Sequence, residues 1–479
     1  MTKNFYDEDD LIKKSDVGLN FQKLKKFDEA EKIYQTLITD FSSHFFPFYL
    51  MGTLKIEQGD LQEALTNLEK SLFYNKKYLQ TYINLSYLYF KNKDYLKTEE
   101  ILKNGIYLDH KNLQLKLNLS QLYLIQGKLK KVIDIDYQIL KINPNNYFVI
   151  NRLHDLGQDV LTKEVKLNLK EVVNKTTLPI DNQIYVNFLL SKYENKISRY
   201  KQEYNYLSKA HDLIYQVNKV YFQENNSLIF NKLKNIHNYF DEGLALESFS
   251  EKNKNISPIF IFGLPRSGST LIEKIILKGA VNFISGEETR IFNSLVDNIY
   301  SEEPQINILQ SLEKIDKSFA QLMQTNEMAI SFTDKSLNNF FFLGWIKKLF
   351  PNAKFINCKR DPYIIISSIL RNNLQNLTWA HKLNDIMTYI DIYQDTLKKW
   401  QEEFGINYYE VNYADLIDDF ESETQKLFEY CKIDWSSDLI NFNNNEYISY
   451  TASNIKIRER LSHSEDEKHE GFANFLSTK

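Results

Sequence analysis

The segment PIFIFGLPRSGSTL, residues 258 to 271, leaves this part of the chain few ways to fold. Four apolar residues, Ile259 to Phe262, read as a buried strand. A turn holding Gly263, Pro265 and Gly268 follows, and Ser269, Thr270 and Leu271 then open an apolar-periodic helix. A strand that stops in a glycine turn and restarts as a helix points backbone N–H groups and the positive helix end at one spot. That arrangement is an anion site.

The spacing from Gly263 to Thr270 copies the phosphate loop G-x-x-x-x-G-K-[ST], except that Ser269 stands where the lysine belongs. Arg266 is the only cation in the loop. An enzyme that handles Mg-ATP normally needs the lysine, so the loop points to another phosphate ligand.

From residue 258 onward, strands and helices alternate. Val281 to Ile284 reads as a strand leading into Ser-Gly-Glu-Glu-Thr-Arg290, and Met328 to Phe332 as one ending at Thr-Asp-Lys335. A helix over Phe340 to Phe350 precedes a strand, Ala353 to Cys358, that runs into Lys-Arg-Asp-Pro362. A further helix carries Ser367 and Ser368, and the strand Tyr408 to Val411 precedes Tyr413. Strands separated by helices imply a parallel sheet, with ligands at the carboxyl ends of the strands. Each polar cluster falls at or just beyond such an end.

The first third repeats itself. A step of 34 residues relates Gly18, Gly52, Ser86 and Ser120, then Phe21, Lys55, Tyr89 and Tyr123, then Ala30, Ala64, Thr98 and Val132. Small residues at the eighth and twentieth positions suit closely packed helix pairs, and Gly59 and Gly127 fall at the turns within pairs. The pattern resembles the tetratricopeptide repeat. Four repeats over about residues 11–146 are enough to stack a continuous core. The resemblance implies a concave face that takes a protein or peptide ligand.

The expected organisation is a solenoid at 1–150, irregular bridging helices and a polar linker at 151–255, and an α/β domain at 256–479 with a central parallel sheet. Net charge of -4 and a pI near 6.1 argue against a nucleic-acid partner. Two cysteines imply no disulfide framework and fit a reducing compartment. The first residues are polar and acidic, without a signal-like apolar run. No stretch approaches the roughly 18 apolar residues of a membrane span. The expectation is a cytoplasmic protein.

Gly-Leu-Pro-Arg-Ser-Gly-Ser-Thr270 resembles the 5′-phosphosulfate loop of sulfotransferases that use 3′-phosphoadenosine 5′-phosphosulfate (PAPS). Arg360, followed eight residues later by Ser368, is similar to their 3′-phosphate site. Repeats followed by this domain resemble the bacterial tetratricopeptide-repeat sulfotransferases, and Gly-Glu-Glu-Thr-Arg290 is similar to a stretch of tyrosylprotein sulfotransferases. The resemblance implies a P-loop-like fold and sulfuryl transfer from PAPS to an acceptor hydroxyl.

Such a transfer needs positioning and charge neutralisation more than covalent catalysis. It can proceed without a metal, so protein cations must cover the leaving phosphate. Arg266 and Lys335 are the candidates, with Ser267, Gly268, Ser269 and Thr270 supplying loop donors. A carboxylate base must take the acceptor's proton. The tyrosylprotein pattern implies Glu288; the repeat-containing relatives, which usually show only Gly-Glu, favour Glu287. The resemblance further places Tyr413 beside the nucleotide and closes Ser453 and Lys468 over it.

Several positions depart from these families. His469 stands where a tryptophan is usual, and Lys456 and Ile457 where glutamine and valine are usual. A second arginine four residues beyond Arg290, useful for acidic peptides, is Ser294 here; Ser285 and Asn293 replace a cysteine and a proline. Arg290 can still bind an acidic acceptor, but peptide tyrosine, sugar, lipid and small-molecule hydroxyls all stay open. Two other classes compete: a tetratricopeptide scaffold with an inactive nucleotide-binding domain, and a phosphate-loop kinase, which would need a lysine before Thr270.

Overall fold

The computed structural model describes residues 8–173, 175, 178–241, 247–296, 304–326, 328–439 and 464–479. The chain divides into two compact units, Met1–Leu156 and Gly157–Lys479.

The first unit is an all-α solenoid of antiparallel helix pairs. The pairs are Glu8–Lys23 with Phe27–Asp40, Phe45–Gln58 with Leu61–Tyr74, Leu79–Lys91 with Tyr95–Leu108, and Leu113–Ile125 with Leu129–Ile142; Tyr147–Asp155 follows. From the second pair on, leading helices begin at Phe45, Leu79, Leu113 and Tyr147, a constant 34-residue step. Close approach explains the small residues. A Cβ added at Gly18 would lie 2.4 Å from Tyr34, and one at Gly52 would lie 2.6 Å from Leu68. The turns within pairs also repeat. Lys25, Gly59, Lys93 and Gly127 all have left-handed backbones, with φ of 57°, 84°, 59° and 75°. Glycine takes that conformation freely, whereas the two lysines hold it at a cost.

The second unit is built on a five-stranded parallel sheet in the order β2-β3-β1-β4-β5. The strands are β1 Ile259–Gly263, β2 Phe283–Ser285, β3 Ser331–Asp334, β4 Lys354–Lys359 and β5 Tyr409–Asn412. In register, Ile259 to Gly263 pair with Lys354 to Cys358, and Phe283 to Ser285 with Ser331 to Thr333. Both faces are covered, as a parallel sheet requires. Phe260, Phe262 and Phe355 face a core shared with Trp345 and Trp400, while Ile259, Ile261 and Ile356 face Ile272, Ile275, Leu427 and Phe428.

Helices Ile180–Lys196 and Tyr200–Val217 contribute Ile184, Phe188, Leu207 and Ile214 to that first core. The C-terminal helix Ser464–Ser477 adds Phe472 and Leu476. The helices between residues 180 and 239 thus pack their apolar side chains into the hydrophobic interior of this unit. Arg371 ties the same parts together by donating to Glu203, to Asn195 and to the Lys468 carbonyl. No described helix is long and apolar enough to cross a membrane.

Candidate active site

The carboxyl ends of all five strands deliver polar residues to one rim of the sheet. β1 runs into Arg266–Thr270, β2 into Glu287–Arg290, β3 into Lys335, β4 into Arg360 and β5 into Tyr413. With β1 central and later strands on both sides, the loop after β1 lies at the crevice where such sheets bind ligands.

The β1 loop is shaped for close approach. Gly263 has φ 157°, and a Cβ there would lie 2.7 Å from the Cys358 carbonyl oxygen; Gly268 has φ 104°, and a Cβ there would meet the Tyr413 ring at 2.9 Å. Gly268 precedes the helix Ser269–Gly279 and supplies no side-chain cap. Leu271 N and Ile272 N donate to the Gly268 carbonyl, so the amides of Ser269 and Thr270 are the ones placed for an outside acceptor. Beside them the Ser267 hydroxyl is buried and makes no hydrogen bond.

One cluster gathers on the β4 and β5 side. Arg266 Nε donates to Ser368 Oγ at 3.0 Å, and Arg360 Nη1 donates to the Arg266 carbonyl at 2.8 Å. The Arg360 guanidinium lies over the Tyr413 ring, 4.4 Å from its centre. Two of its nitrogens, Nε and Nη2, donate to the Asp466 carboxylate, the Nε bond measuring 2.9 Å. Asp466 thus holds two of the donors that a phosphate would need. Lys468 lies on the same helix and is exposed. Next to it His469 is buried, with Nδ1 2.8 Å from Ser367 Oγ. Ser453, Lys456 and Ile457 lie outside the described residues.

A second cluster gathers at the ends of β2 and β3. The Gly-Glu-Glu-Thr-Arg turn is stapled to the exit of β3 by four bonds. Gly286 N donates to the Thr333 carbonyl at 2.8 Å, and Lys335 N to the Glu287 carbonyl at 2.8 Å. Arg290 N donates to Ser336 Oγ at 2.8 Å, and Thr289 Oγ1 donates to Asp334. Asp334 also accepts from Ser336 N and Asn339 Nδ2. Burial raises its carboxyl above the ordinary range, and these donors offset only part of the rise.

The Lys335 ammonium, 3% exposed, lies between two carboxylates. Glu288 Oε1 is 3.7 Å from Nζ and Glu273 Oε2 is 3.8 Å away. Glu288 is also paired with Arg290 at 2.7 Å. Among the described residues, no group of three His, Cys, Asp or Glu is placed to hold a metal ion.

Of the residues expected from sequence, the structure brings Arg266, Arg360, Ser368 and Tyr413 into one cluster, and Glu288, Lys335 and Arg290 into the other. Three of them occupy left-handed backbone, Arg266 at φ 75°, Glu287 at 51° and Arg290 at 52°. Sequence reasoning missed Glu273, Asp334 and Asp466. For Glu273 a signal existed, since a carboxylate interrupts the apolar run Leu271-Ile-Glu-Lys-Ile-Ile276.

A twice-covered parallel sheet with a glycine loop and cations at its strand ends defines an α/β domain with a candidate anion site. Residues 258–437 match the model of the Sulfotransferase family. Over 455 residues the chain is 24% identical to an uncharacterized protein of Aquifex aeolicus (strain VF5), covering 90% of this chain and 58% of that protein. Over 225 residues it is 24% identical to Protein-tyrosine sulfotransferase A of Caenorhabditis elegans, covering 42% of this chain and 56% of that one. The chain thus spans less than two thirds of the length of either relative. The sulfotransferase domain of the Synechococcus PCC 7002 olefin synthase superposes with a TM-score of 0.33 at 18% identity, over 47% of this chain and 96% of that domain.

Proposed function

We propose that this chain transfers a sulfuryl group from PAPS to an acceptor hydroxyl. The observation that carries the reading is the delivery of Arg266, Glu288, Lys335, Arg360 and Tyr413 to one rim from five different strand ends. The donor fits the residues present, because the buried Ser267 hydroxyl lacks a partner and Gly268 leaves no room for a Cβ against Tyr413. Ser267, Gly268, Ser269 and Thr270 would hold its 5′ end. Arg360, Ser368 and Tyr413 would hold its 3′ end, with Arg266 reaching between them, and Ser453 and Lys468 are assigned to the same side. When bound, the donor supplies an electrophilic sulfur attached to a phosphate leaving group.

In line, the acceptor oxygen bonds to sulfur as the sulfur–oxygen bond to phosphate breaks. The bond's electron pair goes to the phosphate, which Arg266 and Lys335 stabilise by charge without a metal. Glu288 takes the acceptor's proton. Its contact with Lys335 favours it over Glu287, whose backbone carbonyl makes the closer link to that residue. Peptide tyrosine is one acceptor class, with Arg290 as the contact for an acidic peptide. The repeats would hold a protein or peptide ligand.

Calorimetry with 3′-phosphoadenosine 5′-phosphate and with ATP, without and with Mg²⁺, tests the reading. Binding of the adenosine bisphosphate without Mg²⁺ is expected; binding of ATP alone would overturn it, and binding of neither would favour the scaffold. Glu288→Ala should leave nucleotide affinity unchanged and lower kcat about 10²–10⁴-fold. Full turnover in Glu288→Ala together with loss in Glu287→Ala would reverse the choice of base.

A further inference from the structure

Glu273 sits on the helix that follows the glycine loop, with its side chain fully buried. Its Oε1 accepts from Thr333 Oγ1 at 2.8 Å and from Ser285 Oγ at 3.0 Å. Ser285 Oγ in turn accepts from the backbone N of Glu287 at 3.2 Å. One carboxylate therefore joins the loop helix, the end of β2, β3 and the left-handed turn before Glu288. Its other oxygen accepts no hydrogen bond and faces Lys335 Nζ at 3.8 Å. A buried carboxylate with an oxygen kept free of hydrogen bonds is costly unless a charge compensates it.

We propose that Glu273 is a positioning residue: its carboxylate is the permanent counter-ion that holds the Lys335 ammonium in place beneath the reacting groups. The proposal rests on the sulfuryl-transfer reading and deepens it. Lys335 lies between two anions at nearly equal distance, and only one of them changes charge in the reaction. When Glu288 takes the acceptor's proton, its pull on Lys335 weakens. Glu273 remains, so the buried ammonium stays compensated while it covers the leaving phosphate. Neither contact is a short hydrogen bond, so the ammonium can turn toward a new anion without breaking one. Burial raises the Glu273 carboxyl above the ordinary range, and Lys335 and the hydroxyls of Thr333 and Ser285 offset only part of the rise. The nearby Glu287 carboxylate pushes it up again.

Glu273→Gln keeps the shape and still accepts from Thr333 and Ser285, so a role limited to hydrogen bonding survives it. The expected result is a kcat about 100-fold lower with donor KM nearly unchanged. A kcat within about twofold of the parent, or a loss confined to donor KM, would overturn the proposal.

A second measurement does not depend on turnover. Thermal unfolding of Glu273→Gln, Lys335→Met and the double variant forms a cycle on the whole chain. Lys335→Met strands the buried Glu273 carboxylate, and Glu273→Gln leaves the Lys335 ammonium with Glu288 alone, so the double variant should melt at a higher temperature than the sum of the two losses allows. Strict additivity would show that the two residues do not act as a pair, and would overturn the proposal. Failure of the parent chain to bind the adenosine bisphosphate would sink the sulfuryl-transfer reading but leave the cycle to decide the pairing.

Discussion

The solenoid and the rim of the sheet bury charge in different ways. In the solenoid, Asp136 accepts from Arg152 at 2.7 and 2.5 Å and from Ser120 at 2.7 Å, so its oxygens are engaged at short range. The buried Tyr123 and Tyr89 donate to the more accessible Glu99 and Glu69 at 2.8 and 2.5 Å. At the rim of the sheet, Lys335 meets its two carboxylates at 3.7 and 3.8 Å, and the Ser267 hydroxyl and Glu273 Oε2 make no hydrogen bond. Charge engaged at hydrogen-bond distance holds a fold. Charge that is compensated at longer range can be redirected when a ligand arrives.

The largest effect is expected in the solenoid. Asp136→Ala leaves the Arg152 guanidinium buried without its carboxylate, so the first unit should lose about 3–5 kcal/mol in denaturant unfolding. The nucleotide affinity of folded chains should not change. A loss under about 1 kcal/mol would mean that this pair behaves like a surface ion pair and that the contrast between units fails.

Arg360→Ala should come next. It removes a charged donor from the nucleotide side and should weaken adenosine bisphosphate binding about 10- to 100-fold by calorimetry. Unchanged affinity would remove Arg360 from the site. The smallest effect is expected at Asp466, which holds Arg360 Nε and Nη2. Asp466→Asn weakens that hold and should raise nucleotide affinity about three- to tenfold, which sharpens the distinction between engaged and redirectable charge. A fall in affinity would mean that Asp466 orients Arg360 rather than competing with the ligand.

Periodic features were legible in the sequence because one residue spacing dictates them. Glycines at 59 and 127 mark the solenoid turns, whereas Lys25 and Lys93 hold the same backbone and carry no such mark. Strand starts were harder. Val281 and Met328 are apolar and read as strand openings, yet they are 85% and 72% exposed and precede β2 and β3. Pairing with a neighbouring strand, which spacing along one segment does not encode, decides where a strand begins. The loop, Lys335 and Arg360 were legible because local motifs carry them. Glu273 and Asp466 were not, because their partners lie far along the chain: Thr333 is 60 residues from Glu273, and Arg360 is 106 from Asp466.

The left-handed backbone at Arg266, Glu287 and Arg290 bears on how such a chain can change over generations. A side chain in that region costs roughly 1–2 kcal/mol that glycine would avoid. Selection for heat resistance alone would therefore favour glycine at these three positions and erase a loop cation, a carboxylate and the contact proposed for an acidic acceptor. A lineage that keeps all three side chains in that conformation would be under selection for chemistry at the expense of robustness.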